Sequence, residues 1–170
     1  MIYNILDYDP ILSAQAHCDQ DVITSIFLIT KDLSFIHWAL GSPFKYRLLH
    51  DTPVPIDQNM CTINKYRWAS IMLNELLNQY NIRYQRQHKL ANVIKLLQIA
   101  PTRLPNSPFG FKLTVPVRFR SSEVVVSYRA YYQQSRKKSK WKRGVAPPEW
   151  WTVDQMSILN QFRYKNIDRT

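Results

Sequence analysis

Two groups of residues in this chain combine types and spacing that could do chemistry. The first is a basic run in which Arg129, Arg136, Lys137, Lys138, Lys140, Lys142 and Arg143 fall within fifteen residues that contain no acid. Tyr128, Tyr131, Tyr132 and Trp141 are interleaved with it, and Trp150 and Trp151 follow. Cations at this density neutralise phosphates and release counterions, while aromatic faces stack on bases or wedge into a duplex. The plainer alternative is a solvated charged face with aromatic residues filling core. The rest of the C-terminal two-thirds is also basic, and Arg83, Arg86 and Lys89 extend the candidate nucleic-acid-binding set. No residue in it identifies a base sequence.

The second group is His17-Cys18-Asp19-Gln20-Asp21. If this stretch is helical, His17 and Asp21 stand at i and i+4 and face the same way. An imidazole and a carboxylate one turn apart can form an acid/base pair, share a metal, or make a local hydrogen bond. A metal needs further ligands, and only His37, His50 or Asp57 offer themselves. The structural alternative is a helix start whose acids complement the dipole. Asp21 adjoins the apolar stripe, where partial burial would raise its pKa. Cys18 reads as a small core residue. Cys61 precedes a helix start but has no base beside it.

Charge separates these two groups. Residues 1–60 hold seven acids against three bases, a balance of −4, and residues 61–170 hold twenty bases against five acids, a balance of +15. An acidic N-terminal segment beside a basic surface favours an anionic polymer as partner. Other classes fall away. The three glycines, Gly41, Gly110 and Gly144, are too dispersed for a phosphate-binding loop or a dinucleotide-binding turn. No continuous 18-residue apolar run is present, so no membrane partner is expected. Two cysteines make neither a disulfide scaffold nor a zinc motif, and no cofactor is implied.

The elements that must position these groups read as mainly α. The chain is expected to form a single compact multi-helix domain with a short N-terminal strand and a basic aromatic C-terminal segment. Ile2 to Leu6 has strand composition, and Asp9-Pro10 is an N-cap followed by a proline at the first helical position. Apolar residues then recur from Ile11 to Leu40 in steps of three and four, predicting one helix or two in series, with a break near Thr30–Asp32 and an end at Gly41. A second helix is expected from about Thr62 to Gln85, carrying Trp68, Met72, Leu76, Tyr80 and Tyr84 at four-residue spacing. Further helices are expected over 88–98, from Ser121 or Ser122 onward with Val125, Tyr128 and Tyr132 inward, and over 152–164. Residues 1–146 read as one helical domain and 147–170 as a C-terminal extension beginning at Pro147-Pro148.

Several stretches together resemble a group of small phage-encoded proteins of uncertain function. They are Leu6-Asp7-Tyr8-Asp9-Pro10, Ala14 to Asp19, Met60-Cys61-Thr62 through Trp68, Tyr80 to Tyr84, His88-Lys89, Tyr128 to Tyr132, and Trp141 to Trp151. They span about residues 1–151 in order. That group is in turn distantly similar to the phage pyrimidine-dimer DNA glycosylases. In those enzymes the N-terminal α-amine attacks the sugar C1′, forms a Schiff base and permits β-elimination, assisted by a glutamate on the first long helix. By position the resemblance implies that the amine of Met1 and the carboxylate of Asp21 would carry this chemistry, with His17 beside them. The chain departs from the pattern at polar positions. Ile2 follows Met1, Gln20 and Asp21 stand where a Lys-His pair is expected, Asn59-Met60 replaces His-Pro, and arginines are absent beside the acid.

The expected function is therefore a nucleic-acid-binding protein of phage or viral type, DNA ahead of RNA, related to glycosylase/AP lyases as a divergent or inactive member. The alternative is a non-catalytic component of a virion or nucleoprotein assembly. The expected location is host cytoplasm, or the virion if the role is structural.

Overall fold

Asp9 opens the first helix as the sequence predicts: its carboxylate accepts from the backbone N–H of Ile11 and Leu12, and Pro10 occupies the first turn. The computed structural model describes residues 4–42, 62–108, 110–142 and 144–164. Its helices are α1 (Pro10–Gln15), α2 (Asp19–Ala39), α3 (Ile63–Tyr84), α4 (Ala91–Leu96), α5 (Val124–Ser135) and α6 (Gln155–Tyr164). Short 3-10 turns at Val117–Phe119 and Glu149–Thr152 flank α5. The all-α class follows, and among the described residues there is no strand.

The expected N-terminal strand is corrected here. Ile2 and Tyr3 lie outside the described residues, and Asn4–Leu6 carry no ladder. Side chains satisfy this backbone instead: the Leu6 N–H donates to Ser13 Oγ at 3.1 Å, and its carbonyl accepts from Arg129 Nε at 2.7 Å. Leu6 itself is fully buried and serves as core.

The break in the long N-terminal helical stretch falls at residues 16–18, not near Thr30–Asp32. A continuous helix would pair its own carbonyls and amides. Here Arg83 takes the carbonyls of Gln15 and His17, and the Tyr132 hydroxyl takes the Cys18 N–H. Thr30 instead sits inside unbroken helix, its hydroxyl donating to the Ile26 carbonyl at 2.6 Å.

Beyond the break, α2 is the central element. Val22, Ile26, Ile29 and Leu33 are fully buried, each contributing about 1.5–3 kcal/mol by leaving water. They face α3, whose Met72, Leu73 and Leu76 are equally buried and whose Trp68 and Tyr80 continue the stripe. By length and composition α2 could cross a membrane, but half of that stretch is buried against the other helices. Val93, Ile94 and Leu97 of the α4 region join the same buried core. Val125, Tyr128 and Tyr132 of α5 belong to it as well.

The described residues after 146 return to α5. Gln133 Nε2 donates to the carbonyls of Trp151 and Val153 at 2.8 and 2.9 Å, Gln155 Nε2 donates to the Trp150 carbonyl, and Leu159 of α6 is fully buried.

At the far end of α3, Gln85 adopts φ 51°, ψ 37° and closes the helix in the left-handed region. A side chain there costs about 1 kcal/mol that glycine avoids. Gln85→Gly is therefore expected to raise the urea midpoint by an amount equivalent to about 0.5–1 kcal/mol; an unchanged or lowered midpoint contradicts this account.

Candidate nucleic-acid interface

The start of α2, the end of α3 and the turn after α5 enclose a cleft of about 600 Å³. Two arginines form its frame. Arg83, in the last turn of α3, is buried to 1% exposure. Its Nη1 donates to the His17 carbonyl at 2.7 Å and meets Asp19 Oδ1 at 3.3 Å; its Nη2 reaches the Gln15 carbonyl at 3.2 Å and Gln79 Oε1 at 2.9 Å. Burial works against its charge, and Asp19 offsets that. Arg136, just past α5, grips Asp21 with both arms of its guanidinium, Nε to Oδ2 at 2.8 Å and Nη2 to Oδ1 at 3.0 Å.

Asp21 itself is 3% exposed. Burial pushes its carboxyl up, but the hydrogen bonds from Arg136 and the influence of the nearby Tyr132 hydroxyl outweigh it, and the group ends below the ordinary carboxylate range. The expected upward shift is thus reversed. Buried as it is, Tyr132 is pushed far above the ordinary phenol range and stays protonated. Its oxygen accepts from the Cys18 N–H at 2.8 Å.

His17 does not share a helix with Asp21. It stands in the break between α1 and α2, fully buried, with Nδ1–H donating back to the Ser13 carbonyl at 2.7 Å and the ring edge-on to Tyr132. Its Nε2 has no hydrogen-bond partner. Burial lowers its pKa more than Ser13 and Asp21 raise it, so the imidazole is neutral. His37 is committed elsewhere, to Ser42 Oγ and the Tyr66 hydroxyl. Among the described residues no three His, Cys, Asp or Glu side chains gather as a metal site, and His50 and Asp57 lie outside those residues.

The basic run reaches the same cleft by its backbone. The Asp19 N–H donates to the Lys140 carbonyl at 3.1 Å, and the Lys142 N–H reaches Asp19 Oδ1 at 3.4 Å. The pinned turn presents Lys138, Lys140 and Lys142 along one wall. All three are exposed, and none has an acidic partner among the described residues. Lys137 is exposed beside them without lining the cleft. Arg83 and Arg136 carry compensating carboxylates, so the lysines hold the free positive charge.

Other predicted contacts separate from this group. Arg129 is held by the Leu6 carbonyl and Asp7 Oδ2 and lies over the Trp150 ring at 5.1 Å, which makes it a tie within the fold. Trp141 is half-buried, edge-on against Trp151. Arg86 is exposed, donating to the Tyr80 hydroxyl, and Lys89 is exposed nearby in sequence. Met1 and Arg143 lie outside the described residues, as does Cys61. Sequence reasoning misses Tyr132 as the group that takes the Cys18 N–H. The one available signal is a polar phenol on the inward stripe of α5, where a buried hydroxyl needs a partner. Comparison with known protein families, curated proteins and solved structures finds no match to this chain.

The grip on Asp21 can be tested directly. Arg136→Ala leaves a buried carboxylate without its main partner, and should cost about 1–3 kcal/mol in urea unfolding. Arg136→Lys recovers only part of that, because one ammonium cannot replace the two-armed grip. The pH dependence has a definite sign. The folded pKa of His17 lies below the ordinary 6.5, so the unfolded chain binds the proton first and stability falls as pH drops below about 6.5. His37 and His88 shift the same way. Asp21 adds a further loss only at more acid pH, as its carboxylate protonates below the ordinary range. Urea midpoints measured from pH 7.5 downward check this; a flat profile to about pH 5.5 contradicts a buried neutral His17.

Proposed function

We propose that this chain is a nucleic-acid-binding protein that grips the phosphate backbone through the cleft at the start of α2, and that Asp21 serves as a structural anion instead of an acid or base. The observation that carries the reading is the wall of Lys138, Lys140 and Lys142, exposed and uncompensated, on a turn whose backbone is tied to Asp19. Lysines held on a fixed backbone present phosphate-binding charge without the cost of ordering a loose loop. No base-reading contact is implied, so binding is sequence-indifferent and steep in salt.

Support for a non-catalytic role comes from the groups that the resemblance casts as reactive. A general acid needs a proton near neutral pH and a general base needs room to receive one. Asp21 is ionised, enclosed and already occupied by both arms of Arg136 and by the Cys18 thiol at 3.5 Å. The likeness to pyrimidine-dimer glycosylases enters as a proposed ancestry, with the altered polar positions fitting a relative that kept DNA binding and lost the Schiff-base chemistry. A phage or viral origin, and service within a packaged nucleoprotein, are consistent with such binding and are proposed on the same terms.

Fluorescence anisotropy with labelled DNA across a salt series tests the reading. Binding should weaken linearly in log–log form. Replacing Lys138, Lys140 and Lys142 together by alanine should flatten the slope by about two to three units, roughly one for each phosphate no longer neutralised. Absence of binding at low salt, or a slope indifferent to the three lysines, overturns it. Borohydride treatment with abasic duplex should trap no covalent adduct, and a trapped adduct would overturn the non-catalytic assignment.

A further inference from the structure

The cleft is not lined by cations alone. Ile23 lines it from α2, with 40% of its surface exposed. Phe27 follows one helical turn later on the same face, 39% exposed, and its ring packs against no other ring among the described residues. Tyr84 lines the cleft from α3; its ring is stacked on Tyr80 at 4.7 Å and its hydroxyl donates to the Asp19 carbonyl. The aromatic residues interleaved with the basic run are turned to other work. Trp141 and Trp150 each pack edge-on against Trp151 and Trp150 receives Arg129, while Tyr132 is fully buried.

We infer that the cleft selects single-stranded nucleic acid, with Lys138, Lys140 and Lys142 on the backbone and Phe27, one turn beyond the cleft-lining Ile23, as the platform for an unstacked base at its rim. This rests on the backbone-binding reading above and adds the strandedness of the ligand. Three observations point the same way. The cleft volume of about 600 Å³ lies in the range of pockets that enclose small molecules, about 300–1,000 Å³, so individual nucleotide units enter it while the convex surface of a duplex does not. Bases inside a duplex keep their faces stacked on one another, so an exposed phenyl face is useful only to a base that has left the stack. Finally, exposed lysines and the exposed Ile23 line one cleft, with Phe27 one turn beyond Ile23 on α2, so charge for phosphate and apolar surface for a base lie close together, as a single strand requires.

Anisotropy titrations of the full chain with a short labelled oligothymidylate and with a duplex of the same length test this. The single strand should bind more tightly. Phe27→Ala should weaken single-strand binding by about five-fold to a hundred-fold with the salt slope unchanged, as expected when a base no longer stacks on the ring. Phe27→Trp should preserve or tighten it. Because Phe27 is exposed, unchanged circular dichroism and melting temperature in both variants establish that the fold persists. A duplex bound as tightly as the single strand, or a neutral Phe27→Ala, overturns the single-strand assignment; if the lysine variant still flattens the slope, backbone binding stands alone. No binding of either probe at low salt removes both.

Discussion

A guanidinium with almost no access to water is the joint on which this fold turns. Arg83 ends α3, yet its donors serve the carbonyls that close α1 and the carboxylate that opens α2. Three helices thereby share one cation. A buried charge of this kind is tolerable only when nearly every donor is used, and the Gln79 side chain takes what the carbonyls leave. The support extends outward: Gln79 donates to Glu75, which also receives Gln15 and Asn78. The break between α1 and α2 is therefore held open by bonds from another helix, and the cleft exists because that break exists.

Arg136 repeats the device from the opposite side, in a weaker and wetter form. It is over a third exposed, while its partner Asp21 is nearly inaccessible. The two arginines together neutralise the acids at the start of α2, which the charge distribution alone sets apart as an acidic end facing a basic one. In the folded chain these ends interlock. What is left over is the charge of lysines that have no such obligation, and the surface potential of the cleft is theirs.

Much of the helical plan is legible in the sequence because local signals decide it. The Asp9-Pro10 start, the four-residue stripe of Trp68, Met72, Leu76 and Tyr80, and the inward Val125, Tyr128 and Tyr132 depend on periodicity and capping within a few residues. The site is less legible. Asp21 stands out in the sequence as the interesting carboxylate, but its partner lies 115 residues away and the sign of its pKa shift depends on that partner. Helical spacing puts His17 and Asp21 on one helix face, whereas the break takes His17 out of the helix and leaves Asp21 only an electrostatic influence on it. Arg83 and Arg129 look like phosphate contacts by composition, and only their buried acceptors, 66 and 123 residues distant, reveal them as internal ties. Among cations, sequence records the charge and not the degree of prior commitment.

The ties that close the N-terminal third also set an order of events during synthesis. The carbonyl of Leu6 waits for Arg129, the amide of Cys18 for Tyr132, and the carboxylate of Asp21 for Arg136, separations of 123, 114 and 115 residues. Until α5 has emerged from the ribosome, α1 and the head of α2 lack the partners that make their burial tolerable. Contacts of such long range slow the search for the native state. The face of α2 that packs on α3 can close earlier, but the head of α2 with Asp21 stays open until α5 arrives, and incompletely packed segments of this kind are where nascent chains are prone to aggregate.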